Sequence, residues 1–253
     1  MRKTTPKQAG VALVAAIALG TSATALAGDG WLTSYEDAKK QAAEEKKDIL
    51  MDFTGSDWCH WCVKLDEEVF DTDHFKAEGA KAYVLLKLDF PNDKSKVTEA
   101  EQAQNKKLAE EFGIRGYPTI LLADSAGKEY ARTGYQPGGP EAYLKHLAEL
   151  KTDAKAFDDL IAQAGKVEGV DRAKLLDQAL QTQDPRNLLA AHAALVAEIE
   201  TLDADGAAGL KSRYGLLRAK GELGSSLNTL FQKQDFAGML AAVNGVIDTY
   251  KPA

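Results

Sequence analysis

Asp48-Ile49-Leu50-Met51-Asp52-Phe53-Thr54, then Gly55-Ser56-Asp57, then Trp58-Cys59-His60-Trp61-Cys62, is the stretch on which the fold turns. A short, largely apolar run closed by glycine predicts a buried strand. The cysteine cluster behind it then opens a helix. A helix N-terminus presents unpaired N–H groups and the positive end of its dipole, which stabilise a thiolate at Cys59. The three-residue spacing puts both sulfurs on one helical face, within reach of a disulfide. They are the only two cysteines among 253 residues. The pattern suits reversible dithiol–disulfide exchange.

Outward from this stretch, helical and strand periodicities alternate up to residue 150. Thr33 and Glu36 predict a capping box before a helix reaching about Lys46. The strand at 48–54 leads to a cysteine helix with Cys62, Leu65 and Val69 on one face, then a strand at Tyr83–Asp89. A polar stretch from Pro91 precedes a helix ending near Phe112-Gly113. Thr119–Ala123 and Lys128–Thr133 form a hairpin around Asp124-Ser125-Ala126-Gly127, and Pro140–Leu150 closes the unit as a helix. The order α-β-α-β-α-β-β-α describes a three-layer α/β domain with a mixed sheet. Residues 151–253 read as helix throughout. Asp171, Asp184-Pro185 and Asp235 are candidate helix starts, and Leu188, His192, Leu195, Ile199 and Leu202 form one stripe. Gly215, Gly221 and Gly224 predict a kink or break in the helix over 206–233.

Arg2, Lys3 and Lys7 precede the apolar run Val11–Leu19, and Ala25-Leu26-Ala27 follows, the pattern of a cleavable signal peptide over 1–27. The run is short for a membrane span, which needs roughly 20 residues. The mature chain is expected to start at Gly28, in the periplasm or outside the cell, where disulfides persist. Removing residues 1–27 takes away three basic residues and no acidic one, moving the formal charge from −7 to −10. So acidic a chain is poorly suited to phosphate backbones, and nucleic acid is not expected as a partner.

Within this frame, Gly113-Ile114-Arg115-Gly116-Tyr117-Pro118-Thr119 is similar to the loop that carries a cis-proline in the thioredoxin superfamily. Residues 31–150 resemble that family, and those from Gly55 to Cys62 look most like a branch of secreted bacterial thioredoxin-like proteins. The resemblance implies a thioredoxin-like three-layer domain over 28–150, and the helical pattern beyond it gives an all-α C-terminal region over 151–253. It implies that Pro118 is the cis residue and that Tyr117 offers backbone groups to an extended substrate. It also makes Asp52 a buried acid, with Lys87 as its partner, moving a proton at Cys62. Gly134 matches the family's glycine after the last strand. Two departures stand out. His60-Trp61 replaces the Gly-Pro that many members carry between the cysteines, and one extra residue separates Asp52-Phe53 from Trp58-Cys59.

The reaction is assigned to Cys59 as nucleophile, Cys62 as resolving thiol, and Pro118, Asp52 and Lys87. Substrate contact is assigned to Trp58, His60, Trp61 and Tyr117. His60 favours the Cys59 thiolate when protonated, and Asp57 opposes it. The bland alternative is a structural disulfide, although a bridge closing so short a loop stabilises little. No metal or cofactor is expected: His74, His146 and His192 are scattered, and Val63 stands where haem attachment needs histidine. Expected partners are proteins with disulfides or thiols and, with no third cysteine, an external redox partner, either membrane-bound or soluble. The competing class is a non-catalytic binding module with the same fold. Isomerase activity gains weight if the C-terminal helices dimerise, but the sequence leaves the oligomeric state open.

Overall fold

A computed structural model describes residues 26–27, 30–185 and 188–250. The expected signal segment and the Gly28 start therefore lie outside the described residues, apart from a two-residue strand, β1 (Leu26–Ala27). The other strands are β2 (Trp31–Leu32), β3 (Asp48–Thr54), β4 (Tyr83–Asp89), β5 (Thr119–Ala123) and β6 (Glu129–Thr133). They form one sheet in the order β1-β2-β4-β3-β5-β6. β3 lies parallel to β4 and antiparallel to β5, so the sheet is mixed.

The period of two along each strand sorts the core into two layers. Ile49, Met51, Phe53, Leu86, Leu88 and Leu121 face α1 (Tyr35–Glu45) and α4 (Glu99–Glu111). Leu50, Leu85, Ile120 and Leu122 face the opposite layer, with Leu65, Val69, Phe70, Phe75, Tyr143 and Leu147. By the same alternation Asp52 and Lys87 point into this second layer, which holds the cysteine helix α2 (His60–Leu65).

Several local expectations change. Helix α1 is capped by Ser34, whose Oγ accepts from Asp37 N at 3.3 Å, and not by the Thr33/Glu36 box. The Thr33 carbonyl is occupied by Gln104 Nε2 at 2.8 Å. The cysteine helix does not run on as α-helix to Val69. It widens into a π-helical turn over Asp66–Phe70, and a separate helix α3 (Asp73–Ala82) follows. Thr72 caps α3, accepting from Phe75 N. Trp31 is buried, with its ring 5.1 Å from that of Phe70, as a packing residue.

Helix α5 (Gly139–Ala164) is continuous through residue 150, where the change of domain was expected. Its first turns bury Tyr143 and Leu147 against the sheet, and its end buries Ala164 in a second core. That core is built by α6 (Gly169–Gln181), α7 (Leu188–Ala191), α8 (Ala193–Leu202) and the start of α9 (Leu210–Gln232). Asp171 lies inside the first turn of α6, whose cap position is Glu168. The stripe from Leu188 to Leu202 is interrupted at His192, half-buried with its ring 5.3 Å from Phe157. The predicted break in α9 does not occur. At Gly215 a Cβ would come within 2.9 Å of the Tyr250 hydroxyl, so that glycine serves close packing. Asp235 caps α10 (Phe236–Tyr250), accepting from Gly238 N at 2.8 Å. No helix among the described residues is long and apolar enough to cross a membrane.

Candidate active site

Cys59 occupies the N-cap of α2 and is disulfide-bonded to Cys62, with 5.2 Å between Cα atoms. The Cys62 N–H, in the first turn of α2, is shared between the Cys59 carbonyl oxygen at 3.0 Å and Cys59 Sγ at 3.2 Å, so a helix donor reaches that sulfur. Both cysteines are buried, Cys59 at 6% exposure and Cys62 at 1%. The Tyr117–Pro118 bond is cis. A Cβ at Gly134 would stand 3.1 Å from the Pro118 carbonyl oxygen, so this glycine lets the chain after β6 approach the proline loop.

Trp58 and Trp61 flank the pair and are half exposed. Trp58 packs edge-on to Tyr117 at 5.6 Å, and its Nε1 donates to the Phe90 carbonyl at 2.8 Å. This brings the proline loop to the cysteines. A Cβ on Gly55 would fall 2.5 Å from the Trp58 indole. Gly55→Ala is therefore expected to push Trp58 off Tyr117 and lower stability by about 1–3 kcal/mol, the usual cost of overpacking, with thermal denaturation as the measurement. Ser56 and Asp57 continue the same clasp. Ser56 Oγ donates to Asp89 Oδ2 at 2.6 Å, and Asp57 accepts from the N–H groups of Asn92 and Asp93 at 2.8 and 2.9 Å. Those backbone bonds, from Asp93 and then Asn92, hold the Asp57 carboxyl below its ordinary range. Three successive residues thus pin the loop before Cys59 to the end of β4, which the sequence did not disclose.

On the other side, Trp61 lies 5.3 Å from the His60 ring and 5.0 Å from Tyr135. The Lys64 ammonium sits over both Trp61 and Tyr135, and Tyr135 donates to Glu68 at 2.6 Å. Tyr135 was not foreseen. Its only sequence signal is its place directly after Gly134.

Beneath the site the strand register sets Asp52 beside Lys87. Lys87, however, bonds Asp66 at the C-terminal end of α2, with Nζ 3.0 and 3.2 Å from its two oxygens. Asp52 is fully buried, and neither of its oxygens has a hydrogen-bonding side chain or backbone group. Burial pushes its carboxyl up to about 8, against the pull of Lys87, with Asp66 and Asp89 adding to the rise. Burial also raises Asp66, although Lys87 opposes it. Burial works against the Lys87 ammonium, but the carboxylates of Asp52 and Asp66 outweigh it. The expected acid–lysine pair is thus a three-group cluster, and Asp66 is its unforeseen member. No group of histidine, cysteine or acidic side chains among the described residues could hold a metal ion.

A paired dithiol at a helix N-terminus, on a mixed sheet beside a cis-proline loop, defines a thioredoxin-like protein. The family model described as a thioredoxin-like domain matches residues 35–151. The chain is 33% identical over 114 residues to the disulfide bond reductase DsbH of Chlamydia pneumoniae, covering 45% of this chain and 68% of that protein. It is 30% identical over 95 residues to the thiol:disulfide interchange protein DsbD of Actinobacillus pleuropneumoniae, covering 38% of this chain but only 15% of that one. A solved structure of DsbH oxidoreductase aligns at 28% identity over 57% of this chain and 94% of that one, with a TM-score of 0.45. The chain belongs to the thioredoxin superfamily, and it is a thiol–disulfide oxidoreductase.

Proposed function

We propose that the protein is exported by residues 1–27 and acts in the periplasm or outside the cell, reducing protein disulfides through Cys59 and Cys62. The observation that carries this reading is the Cys59–Cys62 disulfide at the start of α2, with a helix N–H directed at Cys59 Sγ. The Cys59 thiolate attacks a substrate disulfide, giving a mixed disulfide and releasing one substrate thiolate. Cys62 then attacks Cys59 Sγ, releases the second substrate sulfur and closes the disulfide seen here. Asp52 exchanges the Cys62 proton, and Lys87 stabilises the charge on Asp52. Trp58, Tyr117 and Pro118 on one side, with His60 and Trp61 on the other, hold an extended polypeptide. An external dithiol donor must restore the reduced state. Residues 28–150 carry this chemistry, and 151–253 form an accessory helical unit.

The direction follows from the acid cluster. Asp52 holds its proton up to about pH 8, and Lys87 is paired with Asp66. The Lys87 charge is therefore not free to stabilise a thiolate on α2, which keeps the reduced side of the couple from being favoured and its potential low. The expected reduction potential lies near the roughly −270 mV of thioredoxins, measured by equilibration with glutathione. A value near about −120 mV would reverse the assigned direction, and a pair that cannot be cycled would exclude the enzyme. In a pH titration of the reduced Cys59 thiolate, His60→Ala should raise the Cys59 pKa by a fraction of a unit, the scale of one exposed charge. No change would remove the tuning role of His60.

A further inference from the structure

Among the described residues the α9–α10 hairpin leaves one side apolar and uncovered. Phe231, Phe236, Leu240 and Ile247 are 61%, 65%, 63% and 56% exposed. Their arrangement is not scattered. At 100° per residue Phe236, Leu240, Val243 and Ile247 fall on one stripe of α10, and the antiparallel α9 brings Leu227 and Phe231 to the same side. Helix α10 contains no buried residue, and its main packing partner is α9. The second core ends, among the described residues, at Leu217. The outer part of the hairpin thus has no core of its own. Residues 221–250 hold only four charged side chains, Glu222, Lys233, Asp235 and Asp248, and none is on the stripe. Gly224 lies at the edge of this side, and a Cβ there would meet nothing within 4 Å, so packing within one chain gives no reason for a glycine.

We propose that this face is a homodimer interface, in which the α9–α10 hairpins of two copies pair as a four-helix bundle. Three considerations select a second copy as the occupant. Burying these side chains on two copies removes roughly 1,000 Å² in total, near the lower limit of a specific interface, and a patch of about half that on one chain is of the size that often serves an interaction. The stripe is uncharged, so it can meet itself without like-charge repulsion even though the chain carries −7 overall. That same acidity disfavours an anionic membrane surface as the occupant. Helical hairpins close into four-helix bundles, and twofold pairing of identical patches is the commonest oligomer symmetry. The dimer carries two Cys59–Cys62 sites on one particle, an arrangement suited to rearranging mispaired disulfides. That consequence rests on the oxidoreductase reading, but the dimer itself does not.

The test is the mass of the purified full chain by sedimentation equilibrium between about 1 and 100 µM, the range in which an interface of this size associates. The expected result is twice the mass of one chain. The double variant Phe236→Glu/Leu240→Glu, and separately Ile247→Arg, should sediment as monomers with the helical circular dichroism of the native chain, because each altered side chain is exposed. Ser226→Glu, on the opposite side of the hairpin, should remain dimeric. A native chain that is monomeric at 100 µM, or folded stripe variants that remain dimeric, would overturn the proposal. So would a monomer that co-sediments with phosphatidylglycerol–phosphatidylethanolamine vesicles, since lipid would then be the occupant. Reduction of a small disulfide should be unchanged in the monomeric variants, so loss of the dimer and loss of the dithiol chemistry are read separately.

Discussion

Cys59→Ser should reduce disulfide exchange to the uncatalysed background, a loss of at least about 10³-fold, while Cys62→Ser should halt the reaction halfway. The two outcomes differ because the sulfurs do different work. Cys59 sits at the N-cap, where a helix N–H supports its thiolate, so removing it removes the attacking atom. Cys62 is held one turn along the same helix at 1% exposure, and its attack on Cys59 Sγ is intramolecular. Well-oriented intramolecular steps gain many orders of magnitude in effective concentration, which no solution thiol matches. Cys62→Ser should therefore accumulate covalent adducts with its substrates, visible on non-reducing gels and dispersed by dithiothreitol. Cys59→Ser/Cys62→Ser should accumulate none. Partner capture that survives loss of Cys59 would favour a binding module over an enzyme.

Where the sequence was legible, the signal was local. The bounds of β3, β4 and β5 follow from compact apolar runs flanked by polar breaks, and the Cys59/Cys62 spacing and Tyr117-Pro118 are visible in the chain itself. The readings that changed involve competition between equivalent local signals. Thr33 and Ser34 are both good caps, and Gln104, 71 residues away from Thr33, decides between them by taking the Thr33 carbonyl. Asp66 stands in no motif that marks it as a partner of Lys87, 21 residues away, and only the packing of α2 on the sheet brings the two together. The continuity of α5 past residue 150 was hidden because its buried face changes partner, from the sheet at Leu147 to the second core at Ala164, without a break in helical pattern. Tyr135 and the bonds from Ser56, Asp57 and Trp58 to residues 89–93 join segments more than 30 residues apart, which periodicity does not reveal. The helical glycines misled for another reason: α9 keeps its hydrogen bonds through Gly221 and Gly224, so their cost in propensity does not break it.

Asp52→Asn should stabilise the protein at pH 8 by on the order of 5 kcal/mol, and most of the gain should vanish by about pH 4. The sign follows from where the proton resides. Burial raises the folded-state carboxyl from 3.8 to about 8, so between these values the folded chain holds a proton that the unfolded chain has released. A group raised on folding favours the fold below its unfolded value and loses that contribution as pH rises through the folded one. Asparagine has similar shape and no such proton, so the variant should lack most of this slope. Asp66, also raised by burial, should leave a smaller slope of the same sign. The same substitution should slow resolution of the mixed disulfide by roughly tenfold or more, because Cys62 loses its buried proton acceptor, and should flatten the limb of the pH–rate profile near 8. Native and variant chains compared by urea denaturation at pH 4, 6 and 8, with single-turnover exchange over the same range, supply both readouts. A variant no more stable than the native chain at pH 8 would mean that Asp52 is not held protonated in the fold. A stabilised variant with an unchanged pH–rate profile would leave Asp52 as a buried acid with no part in moving the Cys62 proton.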